Sequence, residues 1–265
     1  MTHSPTTLPS GAKLWLLNLG YLDIDSAVVL SGANIFPAQL PPQQHERRNL
    51  IMLAALVYHP DVGLILFDTG SCEDAIASWG QQALECTPRI WDKQIHGLPE
   101  AIKATGARDI SDVKAVVMSH LHQDHAGGLE HFLNSDVEIW CHEEELKKAF
   151  WATATGIEKG TYQPDYLLVD RLNWKTFSGA ACELFQGITL HLYPGHTAGG
   201  IIMEIELERT GCEYRIEVCE IPPRVHRCHW KNNSRDSLPC WGVDLRAGQG
   251  LGDGRGPHAL PRACR

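Results

Sequence analysis

Four side chains able to bind a metal stand within six residues, His120-Leu121-His122-Gln123-Asp124-His125, and Ala126-Gly127-Gly128 follow directly. The apolar run Val113 to Met118 leads into this segment and the helix-like Leu129 to Leu133 leaves it, so the cluster sits where a strand gives way to a helix. In an extended segment alternate side chains point the same way, so His120 and His122 can grip one ion together. Asp124 and His125 come after the chain has begun to turn, and can reach a second ion close by. Imidazole plus carboxylate favours zinc, with iron, manganese and cobalt sharing the ligand preference. Buried at one strand exit without ions, these groups would be costly. Zinc with an open position lowers the pKa of a water to ~7, and a second ion can hold a carbonyl or phosphoryl oxygen. That is the chemistry of a hydrolase.

Several elements must position this cluster. Leu64-Ile65-Leu66-Phe67 reads as a buried strand running into Asp68-Thr69-Gly70, a turn that leaves a carboxylate at the strand's end. Ile188 to Tyr193 similarly delivers Pro194-Gly195-His196-Thr197. Residues 14–36 and 50–67 read as two extended units joined by the Pro-rich Pro37 to Pro42 and the charged Glu46-Arg47-Arg48. Pro99 suits a helix start and Gly106 its stop. The strand Val137 to Trp140 precedes a helix from Glu143 to Trp151. Alternation of strands with helices and hairpins makes the class mixed α/β or α+β. The scattered His59, His96, His131, His142 and His191 read as surface or hydrogen-bonded core residues.

The motif resembles the signature H-x-H-x-D-H of the metallo-β-lactamase superfamily. Within it, H-L-H-Q-D-H-A-G-G, the earlier L-F-D-T-G and the later P-G-H-T-A-G-G look most like N-acyl-homoserine lactonases, from about Leu14 to about Ile205. The resemblance implies an αβ/βα four-layer sandwich. It implies that His120, His122 and His196 hold one zinc, that Asp124 and His125 hold another, and that Asp68 orients ligands without binding an ion. It also implies a quorum-quenching activity, the opening of a small-molecule lactone or ester by metal-activated hydroxide, with Asp124 helping to orient the attack. A thioester hydrolase resembling glyoxalase II shares the signature and is the alternative enzyme.

The family pattern next asks for a strand ending in an Asp that bridges both metals, with a Tyr or His soon after. The chain instead reads Cys219-Glu220-Ile221-Pro222-Pro223-Arg224-Val225-His226. Aligning on His229-Trp230-Lys231 puts His226 at the bridging position and His229 at the catalytic one, with Glu220 as another substitute for the bridge. Imidazole bridges two ions poorly, so the centre is expected to hold one or two zinc ions and activity is expected to be impaired.

Composition breaks at the same place. The chain has 265 residues and a formal charge of −9, but residues 1–219 carry 15 basic and 28 acidic side chains and residues 220–265 carry 8 and 4. Half of the 14 arginines fall in that final segment, which holds few large apolar residues and is rich in Gly and Pro. It is expected to be mostly irregular. The division expected is a metallo-β-lactamase-like domain at 1–219 lacking its last elements, followed by a tail at 220–265. A reading-frame or splice variant, non-catalytic or unstable, is the third alternative. His258 lies within the Gly- and Pro-rich tail and is given no role. Scattered bases among acids and glycines do not point to nucleic acid. No apolar run approaches the ~18 residues of a membrane span. Nine cysteines without a secretory signal fit a cytoplasmic protein with reduced thiols.

Overall fold

The computed structural model describes residues 6–206, apart from 31, 34, 36, 42, 43 and 159, together with the backbone of Cys212–Ile216 and Asp244–Ala247. Its strands in chain order are β1 (Lys13–Asp25), β2 (Arg47–His59), β3 (Gly63–Phe67), β4 (Arg89–Ile90), β5 (Val113–Val117) and β6 (Glu138–His142). They continue with β7 (Asn173–Phe177), β8 (Ala181–Phe185), β9 (Ile188–Leu192), β10 (Ile201–Ile205), β11 (Cys212–Ile216) and β12 (Asp244–Ala247). One sheet has the order β4-β1-β2-β3-β5-β6-β7 and the other β12-β11-β10-β9-β8.

Alternating burial along the central strands explains the layering. In β3, Leu64 and Leu66 face a cluster with the helices, while Ile65 and Phe67 face the second sheet. The same split recurs in β5, where Val116 faces the helices and Ala115 and Val117 the sheet. Strands apolar on both sides are what a covered parallel sheet requires. Between the sheets Val57, Phe67 and Val117 meet Ile188, Leu190, Ile201 and Met203. On the other side Leu66, Val116 and Ile139 pack on Leu98, Ile102, Leu129, Phe132 and Ala149. Phe67 is fully buried, and its truncation to Ala would cost about 3–5 kcal/mol. The chain folds as an αβ/βα sandwich, of which the described residues supply one helical layer and both sheets.

Sheet direction then fixes where chemistry can happen. β1, β2 and β3 are antiparallel, but β3–β5, β5–β6 and β6–β7 are parallel. Parallel neighbours need crossovers, supplied here by Leu98–Ala104, Gly127–Phe132 and Glu143–Thr155. The C-terminal ends of β3 and β5 therefore open side by side, releasing Asp68 next to Ser119 and His120. The second sheet meets the same edge, because Ile201 donates its N–H to the Ser119 carbonyl at 2.8 Å.

The helix from Glu143 runs on to Thr155 rather than ending at Trp151, and two larger differences from the sequence reading stand out. The first extended unit ends at Asp25, not 36, because the Asp25 carboxylate caps a short helix, Ser26–Val29, by accepting from the Ala27 N–H at 2.8 Å. The second unit is a hairpin, β2 turning into β3 around residues 60–62. Of the segment 220–265, expected to be irregular, the described part is β12, which pairs with the edge of β11.

Candidate metal centre

The first two histidines arrive as their spacing requires. His122 is extended (φ −72°, ψ 154°) and precedes the short helix Gln123–Ala126, so the turn begins after the second imidazole and brings His125 to the other flank of His120. His196 sits on the loop joining β9 to β10, closed by Tyr193 N–H to Gly200 O at 2.7 Å and Gly195 N–H to Thr197 O at 3.1 Å. Nε2 of His196 lies 2.9 Å from Nδ1 of His122. Ring centroids are 4.6 Å apart for His120 and His122, 4.8 Å for His120 and His196, and 4.5 Å for His122 and His196. One nitrogen from each of these three rings lies within 4.8 Å of the others. His120 is buried while His122 and His196 are partly open, so the cluster can be approached from one side.

Asp68 organises the other half. It is fully buried and adopts a left-handed backbone conformation, φ +63°, which Asp tolerates better than most residues. Its Oδ1 accepts the Ser119 N–H at 2.7 Å, and its Oδ2 accepts the Ser119 hydroxyl at 2.6 Å. Oδ2 also faces Nδ1 of His125 at 2.9 Å. A carboxylate accepts, so His125 donates Nδ1–H and turns Nε2 toward Asp124, whose Oδ2 is 3.5 Å away. Ser119 Oγ stands 3.0 Å from Nδ1 of His120, so one carboxylate orients both imidazoles, the first through a hydroxyl. The His120 and His125 rings are 4.1 Å apart at their centroids.

Backbone contacts lock the two strand-end loops together. Thr69 donates N–H and Oγ1–H to the His125 carbonyl at 2.9 and 2.6 Å, and Gly128 N–H reaches Gly70 O at 3.3 Å. A Cβ on Gly127 would overlap the Cys72 nitrogen, and one on Gly128 the Thr69 carbonyl. Only glycine lets the chain pass this closely.

Sequence reasoning missed four supporting residues. Ser119 stood beside the motif, and a hydroxyl adjoining a candidate ligand was the available signal. Glu145 was hidden in Glu143-Glu144-Glu145, a run that reads as solvated first-turn charge, yet it is fully buried. Tyr166 donates its hydroxyl to the Leu121 carbonyl at 2.6 Å and accepts the Gln163 N–H at 2.9 Å. Tyr162 lies edge-on to His122 with centroids 5.0 Å apart. Burial pushes both phenols well above their ordinary range, so they serve as neutral donors. Glu220, His226 and His229 lie outside the described residues. His59 and His142 have the structural roles expected of core histidines, with Nε2 within 3.1 Å of the carbonyls of Gln186 and Gly179 respectively.

Three imidazole nitrogens, with a carboxylate and a fourth imidazole alongside, suit a borderline divalent ion better than a hard one held by oxygens. The sequence profile of the metallo-beta-lactamase superfamily matches residues 53–212, more than half of the chain. The chain belongs to the metallo-beta-lactamase superfamily. As a member it is a metal-dependent hydrolase. It is 28% identical over 208 residues to the N-acyl homoserine lactonase AiiB of Agrobacterium fabrum, covering 75% of this chain and 74% of that one. To an N-acyl homoserine lactonase of Bacillus cereus it is 27% identical over 208 residues, with 74% and 72% covered. Among solved structures it is similar to an AiiA variant of B. thuringiensis with N-decanoyl-L-homoserine bound at the active site. That match has a TM-score of 0.58 and 25% identity, covering 77% of this chain and 72% of that one. A structure of an N-acyl homoserine lactone hydrolase, with N-hexanoyl-L-homoserine bound at its catalytic metal centre, gives a TM-score of 0.57 at 25% identity and the same two coverages. Among the described residues no helix is long and apolar enough to cross a membrane.

Proposed function

We propose that this superfamily member is a zinc-dependent lactonase that opens N-acyl homoserine lactones. His120, His122 and His196 would hold one ion, and Asp124 and His125 a second. The observation that carries the reading is the convergence of three imidazole nitrogens within 4.8 Å of one another. The similarity to lactonases supplies the substrate class.

Bound there, zinc would act as a Lewis acid on the ester carbonyl and lower the pKa of water toward neutrality. The chain's own groups do the rest. Asp68 holds His125 with Nδ1–H donated, which leaves Nε2 as the ligand nitrogen. The Asp124 carboxylate accepts a hydrogen bond from the attacking water, orienting it toward the carbonyl carbon. The bond between that carbon and the ring oxygen breaks, the hydroxyl joins the carbon, and the ring oxygen takes up the proton, giving the open N-acyl homoserine. Glu220 or His226 would take the bridging position and His229 a place beside the substrate. The same reading assigns 1–219 to the hydrolase domain and 220–265 to an appended segment. It places the protein in the cytoplasm, in keeping with Cys72, Cys86, Cys141 and Cys182, which carry free thiols.

Purified full-length chain should contain one or two zinc ions and hydrolyse N-hexanoyl and N-decanoyl homoserine lactone, with glutathione thioesters turned over far more slowly. Faster turnover of the thioester would replace the lactonase reading with the glyoxalase II-like one. Metal-free protein without esterase activity would favour a non-catalytic variant.

A further inference from the structure

Resting on the three-histidine reading, we infer that Glu145 is a positioning residue that fastens the His196 loop to the segment bearing His120 and His122. Its carboxylate is fully buried. Oε1 accepts the Leu121 N–H at 2.9 Å and the Tyr162 hydroxyl at 3.3 Å. Oε2 accepts the Gly199 N–H at 3.1 Å. Leu121 stands between the two histidines of the first segment, and Gly199 is three residues past His196. One side chain thus ties together loops that belong to different sheets.

The contact is close as well as polar. Gly199 is buried, and a Cβ there would overlap the backbone nitrogen of Glu145 itself. The His196 loop therefore rests directly on the first turn of the helix Glu143–Thr155. Tyr162 adds a third link, since its hydroxyl reaches Glu145 while its ring edges His122. A buried carboxylate is costly unless its oxygens are satisfied. Here the donors are backbone groups of the two ligand-bearing loops and a tyrosine in contact with a ligand. Isosteric Glu145→Gln keeps the volume but turns one accepting oxygen into a donor, which then opposes a backbone N–H. One of the two loops must be released.

The test uses the full chain and zinc alone, measured by competition with a chromophoric chelator. Glu145→Gln is expected to weaken zinc binding roughly 10–100-fold, the range for residues that orient metal ligands. In a His196→Ala background the same change is expected to cost less than about 3-fold, because coupled sites are non-additive and the loop no longer carries a ligand. A Glu145→Gln protein binding zinc as tightly as wild type, or an undiminished loss in the His196→Ala background, overturns the assignment. Wild-type chain that binds no zinc defeats the metal-centre reading and this inference with it, a result distinguishable from the others. Should Glu145→Gln fail to fold, hydrogen exchange on wild type decides: the Leu121 and Gly199 amides are expected to gain protection together on zinc addition, and protection of only one overturns the inference.

Discussion

Replacing Asp68 by Asn tests whether the buried carboxylate sets the tautomer of His125. The change preserves shape, and Asn tolerates the left-handed backbone almost as well as Asp. Three hydrogen bonds end on the carboxylate, from Ser119 N–H, Ser119 Oγ–H and His125 Nδ1–H. Bonds to a charged group contribute about 1.5–3 kcal/mol each and neutral ones about 0.5–1.5. The amide oxygen of Asp68→Asn keeps the Ser119 N–H as a neutral bond, losing about 1 kcal/mol by that difference. The new NH2 group faces Ser119 Oγ, which can rotate to accept, and Nδ1 of His125, which must give up its proton. The net loss is about 2 kcal/mol, which lowers the melting temperature of a chain this size by roughly 4–8 °C. The proton displaced from Nδ1 moves to Nε2, and a protonated nitrogen cannot ligate. The variant should therefore lose the ion held by Asp124 and His125 while keeping the one at His120, His122 and His196. Thermal melting of metal-stripped protein gives the first number, and zinc content after dialysis gives the second. A variant melting within about 2 °C of wild type with unchanged zinc content would show that Asp68 does not control His125.

Gly127→Ala should destabilise by about 1–3 kcal/mol, since its Cβ meets the Cys72 backbone, which cannot yield as a side chain would; an unchanged denaturation midpoint would refute the close approach. Burial pushes the Cys72 thiol up to about 11 and that of Cys141 still higher, so both are protonated at pH 8. Iodoacetamide should label exposed Cys86 in the folded protein, as read by mass spectrometry, and reach Cys72 and Cys141 only after denaturation. Because the folded state holds the Cys72 proton more tightly than the unfolded one, stability should fall as pH rises from about 9 to about 11, and a flat urea midpoint across that window would contradict it. Zinc at a free concentration about 100-fold above its dissociation constant should raise stability by about 2.7 kcal/mol over chelator-treated protein; a melting temperature indifferent to EDTA would count against a resident ion.

Much of the site was legible because its parts are local. His120, His122, Asp124 and His125 occupy one strand exit, where the period of the side chains sorts them into two directions; in the structure His120 and His122 meet as a pair with ring centroids 4.6 Å apart, but the His125 ring also lies 4.1 Å from His120. Leu64 to Phe67 and Asp68 were readable for a similar reason: an unbroken apolar run ended on a carboxylate. The supporting groups were not readable, because their roles are defined across the fold. Glu145 differs from Glu143 and Glu144 only in which side of the helix meets the His196 loop, and no spacing within three glutamates reveals that. The extended unit expected to reach residue 36 stopped at Asp25 because a side-chain cap outcompeted the apolar pattern. β7 and β8, with mixed sequences such as Asn173-Trp174-Lys175-Thr176-Phe177, gained their strand state from neighbours in the sheets rather than from their own periodicity.

The pairing of His122 with His196 spans 74 residues of chain. At a synthesis rate of roughly 5–20 residues per second, His122 emerges about 4–15 s before His196. Throughout that interval the nascent chain offers the imidazoles of His120, His122 and His125 and the Asp124 carboxylate, a set that still lacks His196. On the proposed zinc reading, the set of His120, His122 and His196 is complete only once the β9–β10 loop has closed with Gly199 against Glu145, and an ion picked up earlier would exchange until that moment.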